Sequence, residues 1–261
     1  MVSVPIMLIF LLSCIADATS ETNATEPAEP VAPVTILAAF PPPDGSVRVP
    51  PPDAFGEWIQ AIPLRDIRAP LRAYDGRLIH GHDAWVLELD MVDGDLQQCA
   101  DALLRVRGEW QRSVGEPVSF FATSGDPIPW SRYAAGEDPY ADGNRIRWKP
   151  GSDRTWDGYL RNVFDWAGTI SLRAYETTPV ERGPAPGDIL VRSGSPGHAV
   201  LLMDVAVRGE ETFILFAESY MPAQDFHIER GPVDGWWRWD TENEMDLRTW
   251  VFAAADLRAW K

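Results

Sequence analysis

The sequence predicts an α+β fold in which helices come first and an antiparallel sheet follows. Two helical patterns, at 95–114 and 153–166, precede a series of β-rich segments that starts after Gly187. Two of these β-rich segments are separated only by Arg208-Gly209-Glu210, which predicts a hairpin. Residues 36–261 contain no low-complexity linker, so the chain has the organisation of one domain with an N-terminal extension.

The elements of the first half follow from apolar periodicity and capping residues. A short helix is predicted at 54–62, and alternating apolar residues predict a strand at 84–91. Asp93-Gly94-Asp95 is predicted to cap a helix that runs to Val114, because an apolar stripe repeats along it. The stripe consists of Leu96, Cys99, Leu103, Val106 and Trp110.

The middle of the chain is predicted to contain fewer regular elements. A short strand is predicted at 118–122, and residues 123–143, rich in Gly, Pro and Asp, are predicted to form a long loop that lines a site. A strand at 144–148 and a helix that ends near Trp166 follow, and Gly168 separates that helix from a second helical piece at 169–175. The remaining strands are predicted at 188–192, 198–207, 212–219, 225–229 and 249–254.

Composition excludes some classes of partner. The formal net charge is −16, which repels phosphate backbones and anionic lipid, so nucleic acid is not an expected partner. The glycines form no phosphate-binding loop, and no cofactor is predicted.

The N-terminus predicts export. Residues 2–15 are apolar but too short to span a bilayer, and residues 1–18 therefore resemble a secretory signal. Leu11-Leu12-Ser13-Cys14 supports a second interpretation, in which Cys14 is lipidated and becomes the anchored N-terminus. Either interpretation places the protein outside the cytoplasm. Residues 19–49 are expected to form a disordered tether rich in Pro, Glu and Thr, and residues 50–261 one globular α+β domain.

His198 is the candidate general base. The turn at 186–188 leads into one strand, and Gly197-His198 opens the next. A histidine at the mouth of a strand is held by the sheet and remains accessible from a cleft, as a general base must be. The alternative is a structural histidine that is satisfied by the backbone.

A catalytic histidine also needs an acceptor for its second ring nitrogen. Glu218 or Ser219 on the returning strand could supply it, and Gln224 just beyond is a third candidate. The choice between Glu218 and Ser219 depends on the length of the hairpin loop, because a shift of one residue exchanges the two faces of a strand.

Cys99 is the candidate nucleophile, because Cys14 is either removed or lipidated. A position near the start of a helix lowers the pKa of a thiol in general. Gln97 and Gln98 precede it, and a glutamine side chain near a catalytic cysteine can complete an oxyanion hole, unless both are only solvated on the helix surface. Alternatively, Cys99 is a small core residue of the apolar stripe, and Thr169 or Ser171 supplies the nucleophile unless both only cap a helix.

Two further clusters were considered as sites. Trp236, Trp237 and Trp239 could stack on sugar rings, although such clusters more often pack at an edge of the fold. His80 and His82 share a strand face, but the sequence spacing offers no third ligand, and no metal site is predicted.

Four segments carry a resemblance to known families. DLQQCADALLR (95–105), PGDILV (186–191), PGHAVLLMDVA (196–206) and ESYMPAQD (218–225) resemble a bacterial family of secreted proteins and lipoproteins with a domain of unknown function. More remotely, the segment from Pro186 to His198 is similar to the histidine half of NlpC-type and CHAP-type amidases, which implies a papain-like core. Those enzymes have a cysteine at the start of the helix just before Pro-Gly-Asp, where this chain has Asp165-Trp166-Ala167-Gly168-Thr169.

The sequence therefore predicts an extracytoplasmic cysteine peptidase or amidase that acts on cell-envelope peptide bonds. The alternative is a non-catalytic module that binds envelope glycan or peptide on a degenerate papain-like fold. Contact with the membrane is expected only through a lipid anchor. If the sulfur of Cys99 and the imidazole of His198 lie in one open cleft, the enzyme is favoured, whereas a Cys99 sealed behind Leu103 and Trp110 favours the module.

Overall fold

The computed structural model describes residues 34–66 and 69–261. The predicted signal, Cys14 and the tether up to residue 33 lie outside these residues. Within them, helices and a large antiparallel sheet form an α+β architecture, as the sequence predicts. None of the helices in these two ranges has the length and apolar character needed to cross a membrane.

The helices are short except for two. In chain order they are α1 (Ile36–Ala39), α2 (Ala54–Gln60), α3 (Cys99–Val114), α4 (Trp130–Ala134), α5 (Trp156–Trp166) and α6 (Thr169–Ser171). A π-helical turn (Leu172–Glu176) continues α6, and a 3₁₀ turn (Ala254–Asp256) lies near the C-terminus.

The strands of the first half are β1 (Val34–Thr35), β2 (Val47–Arg48), β3 (Pro63–Leu64), β4 (Ala84–Val86), β5 (Ser119–Phe121), β6 (Pro127–Pro129), β7 (Glu137–Asp142) and β8 (Arg145–Pro150). Those of the second half are β9 (Thr177–Pro179), β10 (Ile189–Arg192), β11 (His198–Arg208), β12 (Glu211–Glu218), β13 (His227–Glu229), β14 (Trp237–Trp239), β15 (Met245–Asp246), β16 (Val251–Phe252) and β17 (Leu257–Trp260).

The main sheet of the described residues is antiparallel and has the strand order β4-β13-β12-β11-β10-β17-β9. In addition, β14 pairs with β12 and β2 pairs with β11. The long hairpin of β11 and β12 closes at Arg208 and Glu211, so its turn is only Gly209-Glu210. Gly209 has a φ of +59°, a conformation that glycine adopts without strain.

Both faces of the central strands are covered, which explains why β11 shows no alternation in its sequence. Residues 198–206 of β11 are all buried. Ala199, Leu201 and Met203 belong to a core cluster that also contains the apolar residues of α3 and α5. Val200 and Leu202 belong to a second cluster, which the segment around β15 and β16 covers. A strand buried on both faces is apolar throughout.

The folded part begins earlier than the sequence predicts. Residues 34–49 were expected to belong to the tether, but they form β1, α1 and β2. Arg48 donates from Nε to Asp204 Oδ2 at 2.6 Å, and the Asp204 side chain is fully buried. The Pro-rich composition of this segment gave no indication of this ion pair, because Asp204 lies 156 positions after Arg48 in the sequence.

The segment 123–143 is also more regular than the predicted loop. It contains β6, α4 and β7, and β7 pairs with β8. Asp126 explains part of this order, because its carboxylate accepts hydrogen bonds from the Arg145 side chain and, at 2.8 Å, from the Ile146 backbone N–H. The prediction of one long loop at 123–143 is therefore wrong.

Several boundaries also differ. The predicted strand at 84–91 ends at Val86, and the predicted strand at 249–254 is reduced to β16. The predicted helix from Asp95 starts only at Cys99, because Asp95 accepts the Ala223 backbone N–H at 2.6 Å instead of capping the helix. This shift places Cys99 at the first position of α3.

Candidate active site

A cleft of about 440 Å³ opens where the N-terminus of α3 meets the start of β11. Cys99 and His198 both line it. One wall is formed by Ala167, Gly168 and Thr169 at the start of α6, and another by the loop from Gly194 to Gly197. The aromatic side chains of Tyr220 and Trp250 complete the lining.

Cys99 occupies the first turn of α3 and is only partly buried. Gln98 is the N-cap residue, and its backbone N–H donates to Asp101 Oδ2 at 3.1 Å. Burial raises the pKa of Asp101 to about 8. The first backbone N–H groups of a helix have no partner within the helix, so the start of α3 presents donors at the cleft. Leu103 and Trp110, by contrast, are buried behind Cys99.

His198 is held at the mouth of β11 by a loop that requires glycine. A Cβ atom on Gly197 would lie 2.5 Å from Thr169 Oγ1 and 2.7 Å from the Gly194 nitrogen. The His198 ring is 1% exposed and contacts the rings of Tyr220, at a centroid distance of 5.2 Å, and Trp250, at 5.5 Å. These contacts restrict the rotation of the imidazole.

Glu218 is the acceptor for the second nitrogen of His198. The distance from His198 Nε2 to Glu218 Oε2 is 2.6 Å, and both side chains are buried. Thr249 Oγ1 donates to the same carboxylate oxygen at 2.9 Å. The turn at Gly209-Glu210 alone would place Ser219 on the face of His198, but a one-residue irregularity in β11 between Leu202 and Asp204 shifts the pairing and places Glu218 on that face instead.

The electrostatics of the three side chains are coupled. Burial alone would lower the pKa of His198, but hydrogen bonds to Cys99 and to Glu218 outweigh burial and raise this pKa to about 9. Because Nε2 is bonded to Glu218, Nδ1 is the ring nitrogen that remains for Cys99. At neutral pH the imidazole is therefore protonated and lies between the Cys99 sulfur and the Glu218 carboxylate.

The other two orienting candidates have different partners. Ser219 Oγ contacts the backbone oxygens of Gln97, at 3.0 Å, and Gln224, at 2.8 Å. Gln224 is 2% exposed, and its side-chain nitrogen has no hydrogen-bond partner among the described residues. Ser219 thus joins the segment before α3 to the end of β12, and neither residue orients His198.

Of the predicted substrate-binding residues, only Gln98 lines the cleft, and the three tryptophans lie elsewhere. Gln98 lines the cleft, and its side-chain nitrogen donates to Asp95 Oδ1 at 3.3 Å. Trp236 is 0% exposed and donates to the Pro41 backbone oxygen, so it belongs to the core. Trp237 and Trp239 pack on the second core cluster and do not line the cleft. The three tryptophans therefore pack against the fold and do not form the predicted surface for sugar rings.

The two alternative nucleophiles, Thr169 and Ser171, lie near the cleft, but their hydroxyl groups are hydrogen-bonded to the backbone. Thr169 lines the cleft and contacts the Gly194 backbone oxygen at 3.4 Å. Ser171 is 0% exposed and its hydroxyl group bonds with the backbone of Gly168. Capping of α6 therefore accounts for Ser171.

Sequence reasoning missed Thr249, Tyr220 and Trp250. Tyr220 lies in the SYMPAQ motif beside Glu218, which was a usable signal. Thr249 and Trp250 lie about 30 residues further along the chain and reach the site only through folding, so the sequence offered no signal for them.

A second buried polar cluster lies on the same sheet face. His227 pairs with Glu218 across β12 and β13, and Glu229 follows two residues later. His82 Nδ1 is 2.9 Å from Glu229 Oε2. His82 therefore has buried polar neighbours that the sequence spacing did not reveal, whereas His80 is exposed. Burial lowers the pKa of His227 and favours its neutral form.

Comparison with known proteins gives one finding. The model of a family described as a domain of unknown function (4846) matches residues 36–259. No curated protein and no solved structure matches the chain.

Proposed function

The chain belongs to this family of domains of unknown function, and on the geometry of its cleft we propose that it is a cysteine peptidase or amidase with a papain-like core. The observation that carries the proposal is geometric: Cys99 and His198 line one cleft, and the Glu218 carboxylate lies 2.6 Å from His198 Nε2. Nucleophile, base and orienting acid in this order form the arrangement of nucleophilic acyl transfer.

The first half-reaction forms a thioester. In the proposed resting state the proton of Cys99 is held by His198, and the two form a thiolate–imidazolium ion pair. The Cys99 thiolate attacks the carbonyl carbon of the scissile amide, and the carbonyl electron pair moves to oxygen. His198, which holds the proton, donates it to the nitrogen as the C–N bond breaks, and the amine leaves. Glu218 fixes the orientation of the ring and stabilises its protonated form, so it acts as a positioning residue.

The second half-reaction hydrolyses the thioester. His198 removes a proton from a water molecule, whose oxygen attacks the thioester carbon. The C–S bond breaks, the acid leaves, and the proton on His198 restores the starting ion pair. In both steps the developing oxyanion lies at the N-terminus of α3, where backbone N–H groups and the positive end of the helix dipole stabilise negative charge.

Two observations support a papain-like core. The catalytic groups follow the order cysteine, histidine, acid along the chain, and the cysteine starts a helix that packs on the strand of the histidine. NlpC-type amidases place the cysteine just before Pro-Gly-Asp. In this chain that position, at Ala167 and Thr169, forms a wall of the same cleft, and the cysteine comes from α3 instead.

The substrate class rests on the expected location. The N-terminal signal pattern supports an extracytoplasmic enzyme, either secreted or anchored through Cys14, and peptide or amide bonds of the cell envelope are the substrates available there. The tyrosine and tryptophan rings beside His198 provide an apolar surface for a substrate chain.

Alkylation of Cys99 by iodoacetamide tests the proposal. In the proposed ion pair Cys99 is a thiolate and should react at neutral pH about tenfold faster than a free cysteine, and we expect His198→Ala to abolish this excess. His80→Ala removes an exposed histidine remote from the cleft and is the matched control. Purified envelope peptides should gain free amines with the wild type and not with Cys99→Ala. Protection of Cys99 from labelling at every pH at which the protein stays folded would overturn the mechanism.

A further inference from the structure

We propose that His82, His227 and Glu229 form a binding site for a divalent transition-metal cation of the zinc class. Each side chain offers one ligand atom, and the three atoms lie within 4.8 Å of one another. None of the three lines the cleft of Cys99 and His198. The proposal is therefore independent of the proposed enzymatic function.

The distances fit a small cation after minor adjustment. His82 Nδ1 is 2.9 Å from Glu229 Oε2, and His227 Nε2 is 3.8 Å from the same oxygen. Zinc bonds of about 2.0–2.1 Å in tetrahedral geometry place ligand atoms about 3.3–3.4 Å apart. Both distances differ from this value by about half an ångström, and the two histidine nitrogens lie within 4.8 Å of each other, so metal binding requires the two rings to rotate toward the ion.

His227 provides the independent evidence for a ligand. Its ring is 0% exposed, and Nδ1 lies 2.9 Å from the Asp225 backbone oxygen. A carbonyl oxygen only accepts, so Nδ1 carries the proton and Nε2 carries a lone pair. Nε2 has no hydrogen-bond partner among the described residues and faces the Glu229 carboxylate. Two buried acceptors that face each other are stabilised when a proton or a metal cation lies between them, and a histidine fixed by a backbone carbonyl has the orientation of a metal ligand.

The surroundings leave one position open. The His82 side chain is 21% exposed and forms the outer side of the site, so solvent can supply a fourth ligand. Arg248 Nε lies 3.0 Å from Glu229 Oε1, which leaves Oε2 for the metal. A bound ion would join the segment before β4 to β13, next to the strand that carries Glu218.

The test uses the full chain with Cys99→Ala, because a thiol beside His198 could also bind zinc. Calorimetric titration with Zn²⁺ should show one ion per chain, and Co²⁺ should give the visible absorption of a four-coordinate site without a thiolate band. In this background His82→Ala or Glu229→Gln should weaken the affinity at least about tenfold. His80→Ala, which removes an exposed histidine two positions from His82, should not change it.

Thermal unfolding gives a second measurement. Zn²⁺ should raise the Tm of the Cys99→Ala protein and leave that of the folded His82→Ala variant unchanged. The proposal is overturned if the Cys99→Ala protein takes up no ion, or if uptake survives both His82→Ala and Glu229→Gln. Either result leaves the iodoacetamide test of the cleft unaffected.

Discussion

Replacing Glu218 by glutamine tests the central electrostatic argument. The substitution keeps the shape of the side chain but removes the charge that lies 2.6 Å from His198 Nε2. The pKa of His198 rises from 6.5 to about 9 in the folded protein, which corresponds to about 3 kcal/mol in favour of the imidazolium. Burial of the ring lowers this pKa, and the Cys99 sulfur and the Glu218 carboxylate together raise it by more. We expect loss of the carboxylate to lower the pKa of His198 by about 1–2 pH units.

The measurement is an NMR titration of the histidine rings. The chain has four histidines, so the His198 signal can be assigned by its loss in His198→Ala. Glu229→Gln is the matched control, because it neutralises another fully buried carboxylate that has no hydrogen bond to His198. If the pKa of His198 is the same in Glu218→Gln as in the wild type, the assigned role of Glu218 is wrong.

The same pKa determines how stability depends on pH. Because folding raises the pKa of His198, the stabilisation is complete below pH 6.5 and is lost as the pH rises through about 9. The stability difference between the wild type and Glu218→Gln should therefore be largest in mild acid and decrease toward pH 9. Urea unfolding of both proteins at pH 6 and pH 9 measures this difference.

Three further predictions concern other parts of the chain. Arg48→Ala leaves the buried carboxylate of Asp204 without its cationic partner and should lower the free energy of unfolding, measured with urea, by about 3 kcal/mol. A loss below about 0.5 kcal/mol would contradict the assignment of residues 34–49 to the folded domain. Gly197→Ala should slow labelling of Cys99 by iodoacetamide at least about tenfold, because the new Cβ meets Thr169 Oγ1 and the loop before His198 must shift, and wild-type labelling would contradict this. Cys14→Ser should move the protein from the membrane fraction to the soluble fraction with an unchanged fold, and a wild-type protein that is already soluble would exclude the anchor.

The sequence by itself determined the elements whose signals are local. The apolar periodicity of α3, the Gly197-His198 start of β11 and the position of the hairpin turn around Gly209 depend on neighbours within about one turn or one hairpin, whereas the two-residue length of that turn was not predicted. The α+β class and Cys99 and His198 as candidate residues could therefore be predicted. The composition of two segments, the Pro-rich 34–49 and the Gly-rich 123–143, led to wrong predictions of irregular structure. Ion pairs stabilise both segments, and the local sequence does not show which charged residues will pair.

Only the tertiary structure decided which polar groups meet. The register of β12 against β11 selected Glu218 over Ser219, and the C-terminal segment brought Thr249 onto the same carboxylate oxygen. The sheet likewise placed His82 beside Glu229, 147 positions away. Side chains that far apart in sequence become neighbours through strand pairing and burial, and a single sequence carries no local record of those pairings.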